Sequence, residues 1–308
     1  MALKIVSGSA SQLLASRIAE VLGGVLALCA FKRFPDGELY TRILESESEE
    51  TAEVVVVQSI LSDSDFFCLL QLLDAVEDVF PSATVDVVIP YMGYARQDKR
   101  FERGEAISAR VVARCVSSFR PRRVFVVNAH SPDALRFFEV ATYEINAVPL
   151  LASALSSVEN AVVVAPDEGA TELAKALANA TGFTWDVLQK RRISGSEVEI
   201  KPKSLDVDGK NAIIVDDIIS TGGTIATATK ILKSQNAKDV FVACIHGIFA
   251  QNAVLRMLKA GVRDIFATDT VPSAFSRVSV APAIASALKS ECASGEEREK
   301  QFSAYSAK

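Results

Sequence analysis

The sequence is 308 residues long, 49% hydrophobic and 23% charged, a length beyond what one hydrophobic core usually fills and a composition that excludes a disordered chain. Its net charge of −5 supplies no broad basic face for a nucleic-acid backbone, and no run approaches the roughly 18–20 apolar residues of a membrane helix. Cys29, Cys68, Cys115, Cys244 and Cys292 are odd in number and lack a C-x-x-C spacing, which argues against a disulfide framework or zinc site and for a cytoplasmic protein with neither nucleic-acid nor membrane partners.

In chain order, apolar residues at helical spacing predict a helix over 13–22, and β-branched runs then predict strands over 54–57 and 85–89 with a helix over 67–79 between them. A helix over 107–119 and a strand over 124–127 follow. The pattern resumes with strands at 162–164, 213–215 and 240–242, separated by helices over 173–180 and 225–232. Strand and helix alternate, so the expected fold is α/β, with mostly parallel sheets flanked by helices. Two echoes suggest that this fold is written twice. One pairs Val124-Phe-Val-Val-Asn-Ala-His130 with Val240-Phe-Val-Ala-Cys-Ile-His246. The other pairs Lys4-Ile-Val-Ser-Gly and a helix ending at Gly23 with Val162-Val-Val-Ala-Pro-Asp and a helix ending at Gly182. Strand composition is narrow enough for such matches to arise by chance, but length alone also calls for two domains, expected at 1–146 and 147–308.

In open α/β sheets ligands gather beyond the carboxyl ends of the strands, so motifs there are candidates for chemistry. Phe34-Pro35-Asp36-Gly37-Glu38 reads by itself as a turn. Arg96-Gln97-Asp98-Lys99-Arg100, ahead of Glu105-Ala-Ile-Ser-Ala109, reads either as a solvated charged stretch or, through Arg96, as a clamp for phosphate oxygens. His130, at a strand end before Ser131-Pro132-Asp133, is either structural or close to a metal-bound nucleotide. Asp167 can cap the helix beginning near Gly169 or hold a ligand. Gln189-Lys190-Arg191-Arg192 is a basic stretch leading into Ile193-Ser194-Gly195. Finally, Asp216-Asp217-Ile-Ile-Ser220-Thr221-Gly222-Gly223-Thr224 follows the strand at 213–215 and precedes a helix. Its carboxylates can hold ribose hydroxyls or metal-bound water, and its backbone N–H groups can close on a phosphate. No Gly-Lys-Ser/Thr follows, so it is not a Walker loop.

A strand, two acidic residues and then Ser-Thr-Gly-Gly-Thr resembles the binding motif of type I phosphoribosyltransferases and phosphoribosyl pyrophosphate synthetases. The segments Phe34 to Glu38 and Tyr91 to Arg100 resemble the synthetases, also called ribose-phosphate pyrophosphokinases, and the whole chain is closer to their archaeal-type members. The resemblance implies two phosphoribosyltransferase-like domains with the active site between them, and transfer of the pyrophosphoryl group of ATP to ribose 5-phosphate with Mg²⁺ as cofactor. It assigns ATP to Phe34, Asp36, Gly37, Glu38, Arg96, Gln97 and Asp98. Ribose 5-phosphate falls to Arg192, Asp216, Asp217, Ser220, Thr221, Gly222, Gly223 and Thr224, and the metal to His130 and Asp167. Lys190 and Arg192 match a Lys-x-Arg element on a mobile loop that closes over the reacting phosphates, and they are the expected catalytic pair. In relatives the Phe34 to Glu38 segment reaches a neighbouring subunit's site, which implies a homo-oligomer, at least a dimer. Asn128 is a departure, because bacterial and animal synthetases commonly carry Asp there; the amide keeps an oxygen donor and loses a charge. The tail from Glu296 onward reads as a solvated terminus. Two alternatives are a phosphoribosyltransferase, which needs no ATP site, and a non-catalytic nucleotide-binding subunit that regulates a synthetase.

Overall fold

The computed structural model describes residues 2–45, 51–192, 198–201 and 205–290. Its first half runs β1 (Ala2–Ser7), α1 (Gln12–Leu22), β2 (Val25–Ala27), a hairpin of β3 (Cys29–Arg33) and β4 (Leu39–Ile43), and β5 (Thr51–Val57). It continues through α2 (Asp63–Val79), β6 (Thr84–Ile89), α3 (Ser108–Ser117), β7 (Arg123–Val127), α4 (Pro132–Leu135) and β8 (Ala141–Ile145). After α5 (Val148–Ala154) come β9 (Ala161–Ala165), α6 (Thr171–Thr181), β10 (Thr184–Val187), a hairpin of β11 (Gln189–Arg192) and β12 (Val198–Lys201), and β13 (Asn211–Ile219). The chain closes with α7 (Gly223–Ser234), β14 (Val240–Gly247), α8 (Ala253–Ala260), β15 (Val262–Thr268), β16 (Ser276–Val278) and α9 (Ala281–Lys289).

Each half folds into a six-stranded parallel sheet, ordered β2-β1-β5-β6-β7-β8 in the first and β10-β9-β13-β14-β15-β16 in the second. Numbered within its own half, and leaving the hairpin aside, each reads second-first-third-fourth-fifth-sixth. The duplication is therefore one of topology. The echo between β1 with its helix and β9 with its helix holds, and both helices end on a left-handed glycine, Gly23 and Gly182. The echo between the two histidine strands does not hold, because β7 is the fifth strand of its sheet and β14 the fourth. Buried parallel strands share a β-branched composition wherever they sit, and that alone produced the likeness.

Alternation along the strands builds three apolar layers. In β5, Val54 and Val56 face Leu69, Leu72 and Val76 of α2 and Val112 and Val116 of α3, whereas Val55 and Val57 face the middle of the molecule. There they join Leu14 and Ile18 of α1, Leu151 of α5, Leu177 of α6, Ile213 and Val215 of β13, and Ile284 of α9 in one core shared by both halves. The outer face of the second sheet packs Val162, Ile214 and Val242 against Ile225 and Leu232 of α7 and Met257 of α8. The helix that follows each sixth strand packs away from that strand's own sheet: α5, after β8, lies on α6, β14 and β15 of the second sheet, and α9, after β16, returns to α1 and β8 of the first.

At the amino-terminal edge of the first sheet, Asp86 on β6 receives the guanidinium groups of both Arg122 and Arg123, and Arg123 also donates to the carbonyls of Leu288 and Ser290 at the end of α9. Burial alone would raise Asp86, but these arginines outweigh it and hold its carboxyl below the usual range. A depressed folded value means that this contribution is fully present above the unfolded carboxyl's pKa, about 3.9, and is lost as pH falls through the folded value. Acid unfolding should therefore be shallower in Asp86→Asn than in the parent. The variant should also be less stable at neutral pH by about 3–5 kcal/mol in denaturant titrations, because buried Arg123 loses its counter-charge. Parallel acid profiles would argue against this assignment.

Candidate active site

The functional motifs converge where the carboxyl ends of the two sheets meet. β13 runs to Ile219, so Asp216 and Asp217 lie inside the strand and not in the loop expected after Val215. Pairing with β14 carries the strand on, Asp216 opposite Cys244 and Ile218 opposite His246, and burial of Ile218 and Ile219 secures it. From the first half, His130 reaches across and its Nδ1 lies 2.5 Å from Asp217 Oδ2. A carboxylate only accepts, so Nδ1–H donates. Burial would raise Asp217, but the bond from His130 outweighs it and holds this carboxyl low. Asp216 goes the other way: burial first, then the charges of Asp217 and Asp167, push it up to about 8. The adjacent carboxyls are thus pushed in opposite directions, Asp217 down and Asp216 up.

Asp167 follows β9 and accepts from Gly169 N at 3.0 Å, capping a 3₁₀ turn at Glu168–Ala170 that leads into α6. Capping and proximity to Asp216 thus coexist in one side chain. Beyond β13, Ser220 to Thr224 turns into α7 with Gly222 at φ 69°, a left-handed value that suits glycine. Arg256 Nη1 holds the Thr221 carbonyl at 2.6 Å, and Ala250 N donates to Ser220 O at 3.0 Å. Among the described residues no protein acceptor takes the N–H groups of Thr221, Gly222, Gly223 and Thr224; the first returned inward is that of Ala226, to Gly222 O at 2.9 Å. These donors and the α7 dipole make an anion cradle. A Cβ on Gly222 would sit 3.1 Å from Ala253 O at an unfavourable φ. Gly222→Ala should therefore cost about 1–3 kcal/mol in thermal unfolding and weaken binding of a sugar phosphate, whereas Gly223→Ala, outside the left-handed region and with its Cβ in ordinary contact with Arg256 Nη1 and Thr221 Oγ1 at 4.0 Å, should leave thermal stability nearly unchanged.

The first-half segments approach the same seam unevenly. Asp98 accepts from Ser131 Oγ at 2.6 Å, tying the 96–100 segment to the residue after His130. Arg96 lies close enough to act on the Tyr91 phenol, as does Asp217 from the other half. Gln97 is committed within its own loop, its Nε2 3.1 Å from Lys99 O and 3.3 Å from Glu105 Oε2. Phe34, Asp36, Gly37 and Glu38 form the tip of the β3–β4 hairpin, closed by Phe34 N to Glu38 O at 2.9 Å, with Gly37 at φ 94°. The hairpin lies on α2 through Gln71, which bonds Leu39 O and Thr41 Oγ1, each at 2.9 Å. Phe34 is exposed, and among the described residues no hydrogen bond joins this tip to His130, Asp167 or Asp216.

Comparison with known proteins decides what this arrangement belongs to. The pattern of the N-terminal domain of ribose phosphate pyrophosphokinase matches residues 3–119, and that of the phosphoribosyl transferase domain matches 146–282. Ribose-phosphate pyrophosphokinases of Methanosarcina acetivorans and Methanosarcina mazei are 50% and 51% identical over 289 and 288 residues. Each alignment covers 93% of this chain, with 99% and 95% of the relatives. The chain belongs to the ribose-phosphate pyrophosphokinase family. A solved phosphoribosylpyrophosphate synthetase from Mycobacterium smegmatis superposes with a TM-score of 0.80 at 28% identity, covering 94% of this chain and 98% of that one. The archaeal leaning of the sequence agrees with these relatives.

For a ribose-phosphate pyrophosphokinase, two features of this chain were beyond sequence reasoning. Lys190 and Arg192 fall on β11, where Lys190 pairs with Ile200 and Arg192 with Val198, so a two-stranded ribbon stands where a loop was expected. Their side chains, and Ile193, Ser194 and Gly195, lie outside the described residues, as does the tail from Glu296. This ribbon occupies the same topological position in its half as the β3–β4 hairpin does in the other. The second feature is Asn128. Its Oδ1 accepts from Ala147 N at 2.8 Å, so the amide oxygen fastens the chain between the halves. Among the described residues no helix is long and apolar enough to cross a membrane.

Proposed function

We propose that the chain transfers the pyrophosphoryl group of ATP to the anomeric hydroxyl of ribose 5-phosphate, releasing AMP and phosphoribosyl pyrophosphate, with the active site between domains at 1–146 and 147–308. The observation that carries this reading is the junction of an acidic strand end, a helix-terminal anion cradle and His130 from the opposite half. The Ser220 to Thr224 backbone takes the 5-phosphate, and the Asp216 carboxyl, beside that turn, hydrogen-bonds ribose hydroxyls. The anomeric oxygen bonds to the β-phosphorus in line with the departing AMP oxygen, and its proton passes to solvent. Lys190 and Arg192 bring positive charge to the transferring group. Arg96 and Asp98 serve the nucleotide from the first half; Phe34, Asp36, Gly37 and Glu38, on an exposed tip, serve a neighbouring copy in a homo-oligomer.

Among the described residues no group of three or more His, Cys, Asp or Glu side chains is arranged to hold a metal ion. That suits magnesium, which keeps several waters and takes one or two carboxylates together with substrate phosphates. Asp216, Asp217 and Asp167 act on one another's charge, and a cation beside them would relieve that repulsion. His130 Nε2 and Asp167 are the residues proposed to lie nearest Mg²⁺, which when bound neutralises phosphate charge. The test is chromatographic: with ATP and Mg²⁺, AMP should form only when ribose 5-phosphate is added. AMP formation without the sugar phosphate, or none with it, would overturn the reading.

A further inference from the structure

The second histidine has no part in the reaction as described, yet it is built into the seam. His246, near the end of β14, is 1% exposed and packs against the Tyr91 ring with centroids 4.9 Å apart. Its Nε2 lies 3.0 Å from the backbone carbonyl oxygen of Asn128, and its Nδ1 lies 2.9 Å from Thr270 Oγ1. A carbonyl cannot donate, so Nε2 carries the proton; the Thr270 hydroxyl lies 2.9 Å from Nδ1 and 3.1 Å from Ile245 O, and since Thr268 already donates to that carbonyl, its proton is available to Nδ1. Thr268 completes the set by donating to Ile245 O at 2.7 Å and accepting from Thr270 N at 3.3 Å. Every polar atom of a fully enclosed ring is thus satisfied in one tautomer and one orientation.

What the ring grips is the turn that delivers His130. Asn128 stands at φ 36°, a left-handed value that costs a non-glycine residue energy and needs outside support. Its support comes from both halves: Asn128 N donates to Ile145 O at 3.0 Å, Oδ1 accepts from Ala147 N, and the carbonyl accepts from His246. One residue on, Ala129 N donates to Glu144 Oε1 at 2.9 Å, and then His130 meets Asp217. Asp217 and His246 sit on adjacent strands, with His246 directly opposite Ile218. The second sheet therefore holds this first-half loop at two points, once by its backbone and once by its functional side chain.

We infer that His246 is a positioning residue: its Nε2–H bond to the Asn128 carbonyl fixes the strained turn that presents His130 to Asp217. The inference rests on the proposed function only for its kinetic consequence, since the geometry stands without it. Gln can place an amide N–H where Nε2–H lies, whereas Leu keeps bulk and loses the donor. His246→Leu should lower kcat for AMP formation about 10- to 100-fold, the usual loss when a residue that orients a site ligand is removed. KM for ribose 5-phosphate should stay within about threefold, since the phosphate cradle is untouched. His246→Gln should recover most of the lost rate. The chain has only two histidines, so in either variant the remaining ring signal in nitrogen NMR belongs to His130. That signal should match the parent in His246→Gln and move in His246→Leu. Thr270→Val, which removes the donor to Nδ1 with little loss of bulk, gives a milder version should His246→Leu fail to fold. It should shift the His246 ring signal and lower kcat by less. Equal loss of rate in the Leu and Gln variants, or an unmoved His130 signal in a folded, slow His246→Leu protein, would overturn the inference. A parent that forms no AMP would contradict the activity reading, and the ring signals would still decide whether His246 sets the surroundings of His130.

Discussion

Lys190→Ala should lower kcat by about 10³-fold or more while leaving the KM for ATP within about fivefold, and Arg192→Ala should behave alike. That magnitude is typical for a cation brought to a transferring phosphoryl group. The acidic strand end explains why the chain needs it. Asp216, Asp217 and Asp167 crowd the seam, where burial first and then the charges of the other two push Asp216 up. Polyphosphate bound against such a surface must be met by cations from the other side. The β11–β12 ribbon carries Lys190 and Arg192 at the point in the chain between β10 and β13, just ahead of the strand that holds Asp216 and Asp217. A steady-state series in both substrates reads the split. Equal losses in kcat and in ATP affinity would make the pair a binding element and not a transition-state element.

Asp217→Ala carries the second largest expected effect, a fall in kcat of about 10²- to 10³-fold, on the scale of losing an aligned charge-assisted contact in an active site. Removing Asp217 frees His130, and the two halves lose a bond spanning 87 residues of sequence. Asp217→Asn keeps an acceptor for Nδ1–H and should fall between the parent and Asp217→Ala. KM for ribose 5-phosphate should change little in Asp217→Asn if Asp216 and the Ser220 to Thr224 cradle hold the sugar. An Asn variant as slow as the Ala variant would show that the charge, and not the alignment of His130, is what matters.

How far these residues were legible in sequence depended on whether their partners are local. The Ser220 to Thr224 segment is a strand end, a turn and a helix start in continuous chain, so its local form could be read directly. The central strands were equally plain, because burial on both faces imposes a β-branched run such as Val54 to Val57. Edge and short strands were not: β2 reads Val-Leu-Ala with two exposed residues, and β16 is three residues long, so neither carries a pattern. The extension of β13 past Val215 was missed because two acids interrupt the apolar run, although cross-strand pairing with β14 holds them in register. The least legible feature was the seam. The bond from His246 to Asn128 spans 118 residues, and nothing around either residue announces the other. A signal was present in Asn128 itself, since Asn is among the few residues that tolerate left-handed φ. The helix exchange that places α9 on α1 was invisible for the same reason, since an amphipathic helix shows which face it buries but not against what.

The most direct test of the whole account is phosphorus NMR of the full chain with Mg²⁺, ATP and ribose 5-phosphate, followed to completion beside a control without the sugar phosphate. Transfer of the β- and γ-phosphates as one unit predicts AMP and a diphosphate ester growing together in equal amounts, with the control unchanged. Appearance of ADP with a sugar monophosphate ester, or turnover that ignores ribose 5-phosphate, would contradict it.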